Sequence, residues 1–334
     1  MKALVICGDS IGDTVFSTPV IRALKVQLED VEVHGLFSAS SVFLMDENPY
    51  IDKIHQLDAS FWKTWRMLNE ENFGLIVNLR TDFRAAILVL LLRTRSYSLQ
   101  SNFWQYWLMI NLKINHLRNV HQVDRMIKVV EPLGIKGDEL GLDLFLPEHE
   151  KVLLDWLPEA FQKGFVVFSL SAPYATRKLP LNKTIELCDK INRPIVLLGT
   201  HEDAEQGKII SRFFAKGLSA DQEEGLASLN KKTIVFNACG KFSFNQMASV
   251  VKQARAVFTF DNDFIPVASA FRKEIFGLWG NTILLFGRYP YRTKFTVLET
   301  NNVSCRPCSS HGFEKCPKRH FRCMNDITFD FYLP

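Results

Sequence analysis

No run of apolar residues in this 334-residue chain is long enough to cross a bilayer. The longest aliphatic stretch, residues 85–92, falls far short of the roughly 20 residues a spanning helix needs, which leaves only peripheral contact with a membrane. There is no strong excess of one charge either. Forty basic against 36 acidic residues leave +4, too little to argue for a nucleic-acid partner. Met1-Lys2 runs directly into strand-like sequence, without the charged leader, apolar stretch and small-residue cleavage site of a secreted protein, so the expected location is cytoplasmic. Two nucleotide signatures are also missing. Gly8 and Gly12 follow an apolar run, yet the third glycine of the dinucleotide motif is absent and no Gly-Lys-Ser/Thr marks a phosphate loop. The chain carries no short internal repeat and no low-complexity segment.

What is there is an ordinary globular composition, 47% hydrophobic and 23% charged, in a length that suits two domains. Strand-like and helix-like segments alternate. In the first half, residues 3–7, 31–37 and 75–79 read as buried strands, with helical patterns over 14–28 and 83–92. Pro19 leaves two readings of the first helix: a start at Pro19 capped by Thr18, or a helix from Thr14 kinked there. In the second half, residues 165–170, 194–199, 233–237, 256–260 and 274–279 read as strands, with helices over 181–191, 202–214 and 243–254 between them. This order predicts an α/β chain of two parallel-sheet halves, divided within residues 146–162, with strand ends turned to a shared cleft. The opening Gly8-to-Asp13 turn, strand into helix, lies at such a ligand-binding edge.

Two further features stand out. Arg80, Arg84, Arg93 and Arg95 surround the aliphatic run, and Phe103, Trp104, Tyr106, Trp107 and Met109 follow it. An apolar and aromatic surface bordered by arginine suits contact with a membrane face, with a buried helix and a solvated rim as the alternative for the run itself. Of the seven cysteines, four fall near the end, Cys305 and Cys308 with two residues between them and then Cys316 and Cys323. In a cytoplasmic protein four thiolates suit a structural zinc site, and reduced thiols in a small basic lobe are the other reading. Lys315, Lys318, Arg319, His320 and Arg322 make that lobe positive, suited to an anionic lipid surface.

Ser10-Ile11-Gly12-Asp13 with Thr18-Pro19-Val20-Ile21-Arg22-Ala23-Leu24-Lys25 resembles the start of glycosyltransferase family 9, the lipopolysaccharide heptosyltransferases. The likeness continues through Asn48-Pro49-Tyr50-Ile51-Asp52, the His121 segment ending in Leu133-Gly134, Thr176-Arg177-Lys178-Leu179-Pro180, Ala238-Cys239-Gly240, Asp261 and Trp279-Gly280-Asn281-Thr282. It implies a GT-B architecture: two Rossmann-like domains facing a central cleft, residues 1–155 binding the acceptor and residues 156–334, with the cysteine-rich tail, binding the nucleotide sugar. It also implies transfer of a heptose from an ADP-sugar to an anionic lipid-linked core acceptor, with inversion and without a required cofactor.

That chemistry needs a base for the acceptor hydroxyl and positive charge for the departing diphosphate. The resemblance gives Asp13 the base role, where the residues alone also allow a helix cap. Ser10, the N–H groups near Gly12, Arg80, Arg84 and His121 are the acceptor candidates. Arg177 takes the place of the family's donor-phosphate lysine, beside Lys178; Glu202 and Asp203 stand where the family holds the nucleoside. Asp261-Asn262-Asp263-Phe264-Ile265-Pro266 departs from the family's Asp-Thr-Gly followed three residues later by His. Asp263 adds negative charge and Pro266 removes a backbone donor at the expected phosphate cradle. Cys7 also replaces a basic residue usual there. Three accounts follow: a divalent cation such as Mg²⁺ at Asp263, a different donor sugar, or a GT-B protein that binds nucleotide or glycan without transferring it.

Overall fold

The computed structural model describes residues 1–216 and 232–333. Its strands are β1 (Lys2–Ile6), β2 (Glu32–Phe37), β3 (Lys53–Gln56), β4 (Leu75–Asn78), β5 (Ser96–Ser98), β6 (Val166–Ser169), β7 (Ile195–Leu198), β8 (Val235–Asn237), β9 (Ala256–Phe260), β10 (Glu274–Trp279) and β11 (Phe295–Glu299). They form a five-stranded sheet in the order β3-β2-β1-β4-β5 and a six-stranded sheet in the order β11-β10-β9-β6-β7-β8. Every pairing among the described residues is parallel. β4, β6, β7 and β9 are buried along their whole length, as parallel strands covered by helices on both faces must be. The expected pair of α/β domains is therefore present. β3, β5 and β11, which the apolar pattern does not predict, are edge strands, half-exposed and too polar to make an apolar run.

The first helix settles the question at Pro19. It runs unbroken from Ile11 to Gln27, with Ser10 as its N-cap and Pro19 inside it. Proline leaves the carbonyl four residues earlier without its usual N–H. The Thr18 hydroxyl supplies the missing donor, bonding the Val15 carbonyl at 2.8 Å. The same helix buries Arg22, only 3% exposed, whose Nε and Nη2 lie 2.6 and 2.8 Å from the Asp138 carboxylate, while Nη1 reaches Asp143. It packs against the helix Gln122–Val130 in its own domain and against Phe264–Ala270 from the second, and this crossing brings the two strand-end edges together.

Each sheet has an apolar layer on both faces. In the second, Phe258 stacks on Phe276 at 4.4 Å, and Phe331 from the end of the chain packs on both, at 5.1 and 5.2 Å. Met324 and Ile327 of the tail are fully buried in the same core, each contributing roughly 1.5–3 kcal/mol, so the tail returns to the second core rather than standing as a separate lobe. Among the described residues no helix is long and apolar enough to cross a membrane.

Candidate active site

The carboxyl ends of β1, β4, β6 and β9 open onto one cavity of about 700 Å³ between the domains. Its lining includes Asp9, Ser10, Gly12 and Asp13 of the first turn, Tyr174 and Arg177 after β6, Asp261 to Asp263 after β9, and Arg288. Ser10 shapes the first edge: its hydroxyl oxygen accepts from the Asp13 N–H at 3.0 Å and its proton goes to Asp13 Oδ2 at 2.9 Å. The Asp13 side chain folds back over Gly8, where a Cβ would lie 2.4 Å from the Asp13 Cβ. Only glycine fits there, so the first glycine of the turn sets where the carboxylate points.

Asp13 Oδ1 meets Arg288 Nη2 at 2.8 Å. Sequence reasoning missed this arginine, which sits in Gly287-Arg288-Tyr289-Pro290-Tyr291, a glycine- and proline-punctuated loop after β10. Attraction to Asp13, against the cost of burial and with Asp261 and Asp263 adding to it, raises the pKa of the guanidinium above its ordinary value. One cation from the second domain thus faces Asp13 across the cleft and Asp261 and Asp263 on its own side.

Arg177 also lines the cavity. It donates to the carbonyls of Asp261 at 2.6 Å and Ser310 at 3.1 Å and lies 3.5 Å from Asp261 Oδ2, while its Nε is buried without a hydrogen-bond partner. Burial lowers its pKa from the ordinary value. His311 lies on the same wall, its imidazole pushed down by burial and by the charges of Arg177 and Arg288.

Asp263 carries the departure from the family pattern. It stands before the helix Phe264–Ala270 without capping it, and its Oδ1 instead accepts the Gly12 N–H of the first domain at 2.9 Å. A side chain on Gly12 would come 2.7 Å from that oxygen. Burial raises the Asp263 pKa, opposed by the Gly12 N–H and Arg288. The contact occupies a backbone donor at a helix N-terminus, a place that suits a ligand anion.

Other expected residues are engaged elsewhere. Lys178 pairs with Asp203 at 2.6 Å, and Asp203 also accepts from Ser171 Oγ at 2.6 Å and the Thr200 N–H at 2.9 Å, closing a capping box. Burial opposes the Asp203 charge, yet Lys178 and Ser171 hold its carboxyl below the ordinary range. Neither lines the cavity, nor does the exposed Glu202. Asn262 is at the cavity edge, but its Oδ1 accepts from Thr259 Oγ1 at 2.8 Å and the Phe264 N–H at 2.9 Å, so it builds the turn. Arg80 is clamped between Asp9 and Asp82, and the exposed Arg84 reaches the Ala59 carbonyl at 3.2 Å. His121 is buried and caps the helix Gln122–Val130, with Nδ1 accepting from the Val123 N–H at 3.0 Å and Nε2 donating to the Tyr289 carbonyl at 2.7 Å. Both ring nitrogens are taken, which keeps it out of the cleft.

Among the described residues, the group of metal-ligating side chains brought within 4.8 Å is His34, His55 and Glu71. Cys305, Cys308, Cys316 and Cys323 do not reach that spacing, although Cys323, packed into the second core, faces the other three closely enough for their charges to act on it. Nor does Asp263 gather the oxygen ligands a Mg²⁺ ion would require, since its partner is a backbone N–H.

Beside the cleft a second cavity of about 860 Å³ is lined by Trp104, His116, Arg118, Arg125 and Lys128, and shares Leu99, Asn102 and Arg125 with it. Trp104, 70% exposed, stands in its lining, while Phe103, 62% exposed, and Trp107 line the cleft beside it.

The family model for glycosyltransferase family 9 (heptosyltransferase) matches residues 61–316. Lipopolysaccharide heptosyltransferase 3 of Escherichia coli strain K12 is 27% identical over 326 residues, 92% of this chain and 88% of that one. Another Escherichia coli lipopolysaccharide heptosyltransferase 3 is 28% identical over 309 residues, 83% of each chain. Among solved structures, Escherichia coli ADP-heptose lipopolysaccharide heptosyltransferase II superposes with a TM-score of 0.66 at 18% identity over 98% of both chains. A family 9 glycosyltransferase from Veillonella parvula gives 0.68 at 17% identity, over 90% of this chain and 86% of that one. These structures share the GT-B fold, and the family match spans most of the sequence. The chain belongs to glycosyltransferase family 9.

Proposed function

We propose that this protein transfers a sugar, a heptose in the first instance, from a nucleotide-sugar donor to a lipopolysaccharide core or related glycolipid acceptor, with inversion at the anomeric carbon. The observation that carries the reading is a carboxylate, Asp13, set at the C-terminal edge of one sheet in a cavity whose other wall supplies Arg177 and Arg288. Asp13 takes the acceptor hydroxyl proton as its oxygen attacks the anomeric carbon, while the bond to the diphosphate breaks. Each carboxylate oxygen keeps a lone pair beyond those given to Ser10 and Arg288, so a hydroxyl has an acceptor to approach. Arg177, whose terminal nitrogens keep N–H donors beyond those given to Asp261 and Ser310, and Arg288 neutralise the leaving diphosphate, the group whose charge grows in the transition state.

Phosphate or carboxylate groups of the acceptor fit the adjoining cavity, where Arg118, Arg125 and Lys128 take over the role first expected of Arg80 and Arg84. The exposed Phe103, Trp104 and Trp107 favour an acceptor held at the inner face of the cytoplasmic membrane.

Asp13→Asn removes the base and keeps the size and the Ser10 contact. Turnover with ADP-heptose and a truncated lipopolysaccharide acceptor should fall by at least 100-fold, within the usual range for losing a general base, with the melting temperature near wild type. Retained turnover would remove Asp13 from the reaction. One observation favours a second reading, binding without transfer: the Asp263 carboxylate already fills the Gly12 N–H. A wild-type protein that binds nucleotide sugar and never turns it over would establish that reading instead.

A further inference from the structure

The first domain holds a cluster that the transfer reaction does not use. His34 on β2 and His55 on β3 lie on the same face of the sheet, opposite the first helix, and both rings are almost wholly buried. Their facing nitrogens, His34 Nδ1 and His55 Nε2, are 3.0 Å apart. Glu71, just beyond the helix Phe61–Asn69, brings Oε1 to 4.0 Å from the same His55 nitrogen, and the three ligand atoms lie within 4.8 Å of one another. None of the three lines the cleft.

The details match a metal site more closely than a histidine pair in a core. His34 Nε2 is 2.8 Å from Glu32 Oε1. An ionised carboxylate only accepts, so that nitrogen carries the proton and Nδ1 presents its lone pair to the centre of the cluster. Carboxylate behind histidine behind metal is the arrangement that orients imidazole ligands in zinc proteins. A tetrahedral zinc ion with bonds of about 2.0–2.1 Å holds its ligands about 3.3 Å apart, and the 3.0 and 4.0 Å separations bracket that value. Phe73 stands edge-on to both rings at 5.2 and 6.3 Å and walls the cluster with apolar surface.

Charge is balanced as well. Lys2 pairs with Glu71 Oε2 at 2.7 Å and can stay there when a metal binds, whereas Lys53, which reaches Oε1, is half-exposed and free to swing into solvent. His55 makes room for the ion by moving its Nε2 proton to Nδ1, a tautomer change that leaves the ring neutral.

We propose that His34, His55 and Glu71 bind one divalent transition-metal ion, zinc by the chemistry of two imidazoles and a carboxylate, with Glu32 as the orienting partner and water in the fourth position. The site would pin the edge strand β3 to β2 and to the segment behind the helix Phe61–Asn69. Its effect belongs to stability, away from the transfer chemistry.

The test uses full-length protein stripped with chelator and titrated with zinc by calorimetry and with cobalt(II) by absorption. One ion per chain is expected, raising the melting temperature. Cobalt should give tetrahedral visible bands without the intense near-ultraviolet thiolate band that the tail cysteines would produce. His55→Gln and Glu71→Gln should weaken affinity at least tenfold, and Glu32→Gln by roughly 10- to 100-fold, as losses of an orienting partner do. Glu71 is at the surface of the cluster, so its variant reads the site even if replacing the buried histidine disturbs folding. No stoichiometric uptake by the folded chain, a thiolate band on cobalt binding, or unchanged affinity in Glu71→Gln would each overturn the site.

Discussion

Asp263 is the residue on which the chemistry of the cleft turns. Its carboxylate lines the cleft and lies against the Gly12 N–H, with Arg288 drawn towards it, Asp261 and Asp13 together. Replacing it by asparagine separates charge from shape, since the amide oxygen still accepts from Gly12 while the negative charge disappears. If Asp263 borders the phosphates, Asp263→Asn should bind ADP several-fold more tightly than wild type in calorimetry, because one like charge within a few ångströms at effective dielectric near 20 costs on the order of 1 kcal/mol or more. Unchanged affinity would take Asp263 away from the phosphate path and leave it as a contact between domains. Sequence comparison made this position conspicuous by its departure from the family pattern, but a single sequence does not reveal that the new carboxylate finds its partner 251 residues earlier in the chain.

The helix Gln122–Val130 shows how a residue drawn in by family likeness serves an element instead. His121 caps it and is enclosed by Phe16, Tyr289 and Tyr291. Burial pushes its pKa from 6.5 down to about 4, against the pull of the Tyr289 carbonyl and Asp124. The folded chain therefore binds fewer protons than the unfolded one between those pH values. This contribution is complete above about pH 6.5 and is lost as pH falls towards 4, a full swing of about 3 kcal/mol. From pH 7 to pH 5 wild type should lose about 2 kcal/mol more than His121→Gln in urea unfolding, since the amide can make both hydrogen bonds without titrating; equal losses would show that the cap is not what holds the proton off. The buried elements were legible because their apolar runs are one-sided or continuous, and so was the Gly8-to-Asp13 turn, which is local in sequence. β3, β5 and β11 were not, because an edge strand needs little apolar sequence. Arg288, the pairing of Lys178 with Asp203 and the His34 to Glu71 cluster arise from contacts between distant segments, which periodicity does not encode.

Both domains are joined through a loop of the second. Between β10 and β11 the chain leaves its own sheet, and there the Phe286 carbonyl accepts from Tyr106 Oη at 3.1 Å, the Gly287 carbonyl from the Gln122 N–H at 2.8 Å, and the Tyr289 carbonyl from His121 at 2.7 Å. Tyr291 then donates to Asp124 at 2.8 Å and packs on the first core. Arg288 lies in the middle of this run, so the docking that joins the domains also delivers the cation to Asp13. Wild type should accordingly unfold in one calorimetric transition, because neither domain keeps this surface covered alone. Gly287 makes the docking separable from ordinary backbone strain. It has φ +81° and so does Gly134, but a Cβ on Gly287 would lie 2.8 Å from the Val120 carbonyl, whereas one on Gly134 meets nothing within 4 Å. Gly134→Ala should cost only the left-handed conformation, about 1–2 kcal/mol. Gly287→Ala bears that cost and also has to push the loop off the first domain, so its melting temperature should drop further, its transition should broaden or split, and turnover should fall as Arg288 withdraws. If the two variants melt alike and both keep activity, the loop is not what couples the halves, and the pairing of Asp13 with Arg288 has to be maintained by the Gly12 to Asp263 contact and the crossing of the first helix with Phe264–Ala270.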